Sequence, residues 1–118
     1  MNIYPRARLR IYFDAETMLG PGKADLLDGI RETGSIAAAG RRMGMSYKRA
    51  WTLVDTLNHA FREPLVVSVA GGRAGGGANL TSAGLEILAC YRRMQANTEQ
   101  AIAADLDRLT ALLGQRSG

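Results

Sequence analysis

The chain has 118 residues, 47% of them apolar, a formal net charge of +4 and one cysteine. That length suits one compact domain spanning 1–118, and a single cysteine excludes an intramolecular disulfide, as fits a reducing cytoplasm. Met1 to Arg10 carries arginines and no apolar run, so it reads as neither a signal peptide nor an anchor, and no later stretch reaches the roughly 18 apolar residues that span a bilayer.

Arg8 to Phe13 alternates polar and apolar residues before turning apolar, which predicts an edge strand with one wet face. Gly20-Pro21-Gly22 predicts a turn. Leu26, Leu27 and Ile30 then share a helical stripe over Lys23–Thr33, and Gly34 stands where a C-cap belongs. Ser35 is placed to N-cap a short helix over Ile36–Met43, because its hydroxyl can accept an orphan backbone N–H. Consecutive alanines let a neighbouring helix approach this one closely, and Gly44 supplies the left-handed residue that ends it. Ser46 caps the next helix, Tyr47 to about Phe61. Its Ala50, Val54, Leu57 and Phe61 step by 4, 3 and 4 along one buried face. Trp51 and Leu53 are expected to widen that face, with Trp51 packed in the core rather than standing out as a stacking platform.

Pro64 stops that helix. The β-branched run Leu65–Val69 predicts a strand, Ala78–Leu80 its return, and Gly71–Gly77 a long glycine-rich hairpin tip. Thr81 or Ser82 caps a last helix to about Leu113, roughly 45–50 Å long at 1.5 Å per residue. Tyr91, Met94, Thr98, Ile102, Leu106, Leu109 and Leu113 follow at spacings of 3 or 4. The end of such a helix outruns so small a body and calls for an apolar partner, most simply a second copy of the chain. The alternative is a helix that folds back after Asn97. The element order implies an α+β, mainly α fold: a winged helix-turn-helix (35–61, with the wing at 65–81), an N-terminal strand and a long C-terminal dimerisation helix (82–113).

Charge is distributed unevenly. Residues 1–34 and 86–118 each balance their basic and acidic side chains, so the whole excess lies in 35–85, and Ser35 to Val54 holds Arg41, Arg42, Lys48 and Arg49 with no acid. A focused basic patch suits a polyanion. In a helix-turn-helix the second helix enters the major groove and its N-terminal residues face base edges. Here those residues are Ser46, Tyr47, Lys48 and Arg49, with Thr52 one turn on. Lys48 and Arg49 can donate to guanine O6 and N7 or to phosphates. Ser46 and Tyr47 can hold phosphate oxygens, as can Ser35 with its helix N-terminus, and Arg41 and Arg42 fall near the backbone of double-stranded DNA. The glycine loop has no following Lys-Ser or Lys-Thr, so it is not a Walker loop. After a helix-turn-helix it reads as a wing whose bare backbone approaches phosphates while Arg73 enters the minor groove.

An enzyme fits poorly. His59 is the only histidine, Cys90 has no histidine nearby in sequence, and Asp105 and Asp107 lie on different helix faces, so no catalytic constellation, metal site or cofactor is expected. The remaining rival is a protein-interaction module that keeps the fold without specific DNA binding and docks through its long helix.

Three blocks carry a family resemblance. Gly34-Ser35-Ile36, Met45-Ser46-Tyr47-Lys48-Arg49-Ala50-Trp51 and Gly71 through Thr81 together resemble the N-terminal domain of the ModE family of molybdate-responsive regulators, within the wider LysR-type winged helix group. The likeness spans about Leu9 to Asn97, with the blocks in the family's order and spacing. It implies a transcriptional regulator that binds a palindromic operator as a homodimer joined through the N-terminal strand and long helices. Recognition and wing roles then fall to Tyr47, Lys48, Arg49 and Arg73. Ala74 departs from the pattern, standing where the family has glycine. The chain stops where that family's molybdate-binding domains begin, so molybdate binding is not expected from this chain alone.

Overall fold

The computed structural model describes residues 3–69 and 77–114. The edge strand expected over Arg8–Phe13 narrows to β1 (Ile11–Tyr12). It pairs antiparallel with an unexpected β2 (Met18–Leu19), Ile11 opposite Leu19 and Tyr12 opposite Met18. Asp14 shapes the intervening turn, its Oδ1 accepting from the N–H groups of Glu16 and Thr17 at 2.8 Å each. Those donors, Glu16 first, hold the carboxyl below its ordinary pKa. Phe13 meets Phe61 edge to face, with ring centroids 5.8 Å apart.

Gly20-Pro21-Gly22 is not a free turn. Helix α1 spans Pro21–Thr33, with Gly20 at its N-cap. Proline suits that first position because its missing N–H would have no helical partner and its φ is preset. Leu26, Leu27 and Ile30 are fully buried, and Gly34 closes the helix at φ 70°, donating to the Ile30 carbonyl at 2.8 Å.

Helix α2 (Ile36–Arg42) starts where the Ser35 hydroxyl accepts from the Ala38 N–H at 3.0 Å. It ends one residue before the expected Met43, which becomes its C-cap, and Gly44 takes the turn at φ 72°. Helix α3 (Tyr47–Ala60) is capped by Ser46, whose Oγ accepts from the Arg49 N–H at 3.1 Å. The crossings are tight. A Cβ on Gly29 would stand 2.9 Å from the Ala39 Cβ, and one on Gly40 3.0 Å from the Ala50 Cβ. Small residues at both contacts let α2 sit close to α1 and α3.

Strands β3 (Val66–Val69) and β4 (Gly77–Leu80) form the antiparallel hairpin, from Val66 opposite Leu80 to Val69 opposite Gly77. The Ala78 N–H donates to the Gly34 carbonyl at 2.9 Å, so β4 is also tied to the α1–α2 junction. Of the expected tip Gly71–Gly77, Gly77 begins β4, and the rest, with Arg73, lies outside the described residues.

Thr81 caps helix α4 (Ser82–Ala111): its hydroxyl accepts from the Gly84 N–H at 3.0 Å and donates to the Pro64 carbonyl at 2.7 Å. The 30 residues run about 45 Å, and the helix does not fold back after Asn97. Its first turns join the core through Leu88 and Tyr91, and the Tyr91 hydroxyl donates to the Leu9 carbonyl at 2.7 Å. Arg92 clamps α4 to α1, reaching Asp25 at 2.7 Å and Asp28 at 2.6 Å. Farther out, Ile102 and Leu106 line a groove with Ile3, Pro5 and Ala7 of the N-terminal segment, while Leu109 is 63% exposed. The overall extents of 57 × 33 × 23 Å reflect a helix longer than the body it packs on. Among the described residues no helix is long and apolar enough to cross a membrane.

Candidate nucleic-acid interface

Arg41 and Arg42 lie at the end of α2, and Lys48 and Arg49 lie on the first turn of α3, where these last two line a groove with Ser46, Thr52 and Leu53. Arg41, Arg42, Ser46, Tyr47, Lys48, Arg49 and Thr52 are all exposed, and Ser35 is half-buried at the α2 N-terminus. Ser46 and Ser35 spend their hydroxyl lone pairs on caps, as their positions predict, and each hydroxyl keeps its own proton to donate. The Thr52 hydroxyl donates to the Lys48 carbonyl at 2.9 Å. Among the described residues no side-chain hydrogen bond or ion pair engages Arg41, Lys48 or Arg49. Their charges are therefore uncompensated and wet, which is the state a phosphate-binding cation needs before its partner arrives.

Arg42 differs. It reaches Glu32 on α1 at 2.8 Å, both side chains about half exposed. The acid-free run in the sequence is thus not acid-free in space. An exposed pair of this kind contributes only about 0–1 kcal/mol, so it does not lock Arg42 away from another anion.

Trp51 corrects the expectation of core packing: it is 49% exposed, and Tyr47, one turn earlier, is 58% exposed. The reason is helical phase. At about 100° per residue, Trp51 points about 90° from the mean direction of Ala50, Val54 and Leu57, the buried residues of α3. Core volume inside that sector is filled by smaller side chains. Trp51 lies instead beside Ile36, Val54, Asp55, Asn58 and Ser68, in the groove between α3 and the hairpin.

Asn58 was not singled out by sequence pattern, yet it mounts the hairpin on α3. Its Oδ1 accepts from the N–H groups of Leu65 (2.8 Å) and Val66 (3.0 Å), and its Nδ2 donates to the Val66 carbonyl at 3.0 Å. An asparagine on the flank of an otherwise apolar helical face was the available signal. The rest of the site is electrostatically plain. His59 approaches the Asp55 carboxylate at 3.5 Å on the surface, and among the described residues no group of three or more His, Cys, Asp or Glu is placed to hold a metal ion.

This arrangement, two tightly crossed helices with a hairpin tied to the second, coincides with a family match. Residues 24–85, from α1 into the first turn of α4, match the family described as bacterial regulatory helix-turn-helix protein, lysR family. The chain belongs to that lysR family. Similar proteins include the molybdenum transport protein ModE of Azotobacter vinelandii, 42% identical over 112 residues, covering 95% of this chain and 40% of that protein. The molybdenum-pterin-binding protein MopB of Rhodobacter capsulatus is 41% identical over 86 residues, 73% of this chain and 32% of its own length. The DNA-binding transcriptional dual regulator ModE of Escherichia coli (strain K12) is 37% identical over 71 residues, 60% of this chain and 27% of its own length. The resemblance to ModE seen in the sequence is therefore shown. The chain spans two fifths or less of the length of these curated relatives, and what their names state of molybdenum belongs to them. Within the lysR-family domain, α2 and α3 are the helix-turn-helix pair and Gly44 is its turn.

Proposed function

We propose that this lysR-family chain is a non-enzymatic, cytoplasmic transcriptional regulator that binds double-stranded DNA as a homodimer on a palindromic operator. It acts as one domain over 1–118, with the helix-turn-helix at 35–61, the wing at 65–81 and the long helix at 82–113. The observation that carries the reading is the pair Lys48 and Arg49: exposed, unpaired, and on the first turn of α3, the second helix of the helix-turn-helix. In this reading Lys48 and Arg49 meet base edges and phosphates, and Ser46, Tyr47 and Thr52 flank them. Ser35, Arg41 and Arg42 hold the adjacent backbone, and Arg73 extends the wing toward the minor groove.

The exposed end of α4, with Leu109, Leu112 and Leu113, supports a second copy of the chain as its cover. The same leucines favour the rival reading, an interaction module without specific DNA binding. Selecting bound fragments from genomic DNA and reading their shared half-sites separates the two. Inverted repeats about one or more helical turns apart are the expected result, and retention that does not fall as salt rises would contradict the DNA reading.

A further inference from the structure

Trp51 is the one tryptophan of the chain, and it stands half exposed on the helix that carries Lys48 and Arg49. Tryptophan is highly buried on average, so an indole left in water on a candidate binding face is informative. Tyr47 precedes it by four residues, the spacing that puts two side chains on one helical face. By helical phase both exposed side chains stand on one face of α3, an apolar ledge with Lys48 and Thr52 on the adjoining face.

The groove beside the ledge sets what can occupy it. Among the described residues its lining includes Ile36, Val54 and Asp55, and no lysine or arginine. The Asp55 carboxylate there repels a phosphate, whereas a small uncharged apolar group meets no such repulsion. The edges of bases in the major groove offer donors and acceptors and one apolar group, the C5-methyl of thymine. Among the described residues no hydrogen bond engages the indole N–H, which leaves it able to donate to a neighbouring base acceptor.

We propose that Trp51, flanked by Tyr47, is a specificity-determining contact that reads thymine C5-methyl groups in the major groove. The inference rests on the DNA-binding reading above. Lys48 and Arg49 bring the duplex to this face by charge, and Trp51 then favours thymine where it touches.

The test uses a duplex selected by the full wild-type chain from a random-sequence library, made once with thymidine and once with deoxyuridine. The exchange removes the methyl and keeps every Watson–Crick group. Binding is read by anisotropy of the labelled duplex, and Trp51 by its own emission and acrylamide quenching. Wild type is expected to bind the thymine duplex about fourfold more tightly for each contacted methyl, with its indole shielded from acrylamide. Trp51→Ala is expected to bind more weakly and without preference, and Trp51→Phe to keep part of the preference. Equal wild-type binding to both duplexes would overturn the proposal. So would Trp51→Ala retaining the wild-type preference, or an indole equally quenchable in a complex that anisotropy detects. Those results leave the DNA-binding reading standing, whereas no binding to any duplex at low salt sinks both. Should Trp51→Ala fail to fold, the two wild-type measurements still decide.

Discussion

Asn58 and Val66 exchange two hydrogen bonds of 3.0 Å, the side-chain amide of α3 pairing with the backbone of β3 as a neighbouring strand would. A third bond, from the Leu65 N–H to Asn58 Oδ1 at 2.8 Å, completes the splice. Beside the Ala78–Gly34 tie and the burial of Leu65 and Val66, this one polar side chain at the edge of the core fastens the hairpin to α3. Asn58→Ala leaves the Leu65 and Val66 N–H groups without this acceptor and is expected to cost about 1–3 kcal/mol. Urea unfolding measures it; a loss below about 0.5 kcal/mol would show that water replaces the amide without penalty.

Two glycines are expected to respond in opposite directions to the same substitution. A Cβ on Gly84 would run into the Leu65 carbonyl where α4 meets the end of the hairpin, so Gly84→Ala is expected to destabilise by about 1–3 kcal/mol. A Cβ on Gly22 meets nothing within 4 Å in the first turn of α1, so Gly22→Ala is expected to stabilise by about 0.5 kcal/mol. Thermal melts of the two variants, compared with wild type, check both signs.

Tyr91 ties the N-terminal segment to α4 through Leu9 and carries a pH dependence. Burial pushes its hydroxyl above the ordinary tyrosine value, with the Arg92, Arg8 and Arg10 charges opposing. The folded state thus prefers the neutral phenol, which alone can donate to the Leu9 carbonyl. The stabilisation is complete below the unfolded pKa near about 10 and is lost as pH rises through the higher folded value. Tyr91→Phe is expected to cost about 0.5–1.5 kcal/mol at neutral pH. The gap between wild type and variant should close above about pH 10; a gap that widens there would contradict the assignment.

Much of the frame is legible in the sequence because it depends on residues whose chemistry is local. Gly34 and Gly44 take the left-handed backbone their places require, and Ser35, Ser46 and Thr81 accept the helix N–H groups their spacing offers them. Pro21 misled because Gly-Pro-Gly suits a turn as well as a helix start, and only the burial of Pro21 against the core distinguishes them. The two residues of β2 are too few to show an alternating pattern. Trp51 misled because residue type suggests the core while phase on α3 denies it. Asn58 and the Glu32–Arg42 pair depend on which elements meet, which sequence spacing does not reveal.

Binding of DNA by Lys48 and Arg49 is tested by salt-dependent affinity for a selected duplex, wild type against Lys48→Ala/Arg49→Ala. Each phosphate contact contributes roughly 0.9 to the slope of log affinity against log salt. The double variant is expected to fold normally, to lose specific binding and to show a slope smaller by about 1–2. Affinity within about threefold of wild type, with an unchanged slope, would contradict the recognition-helix assignment.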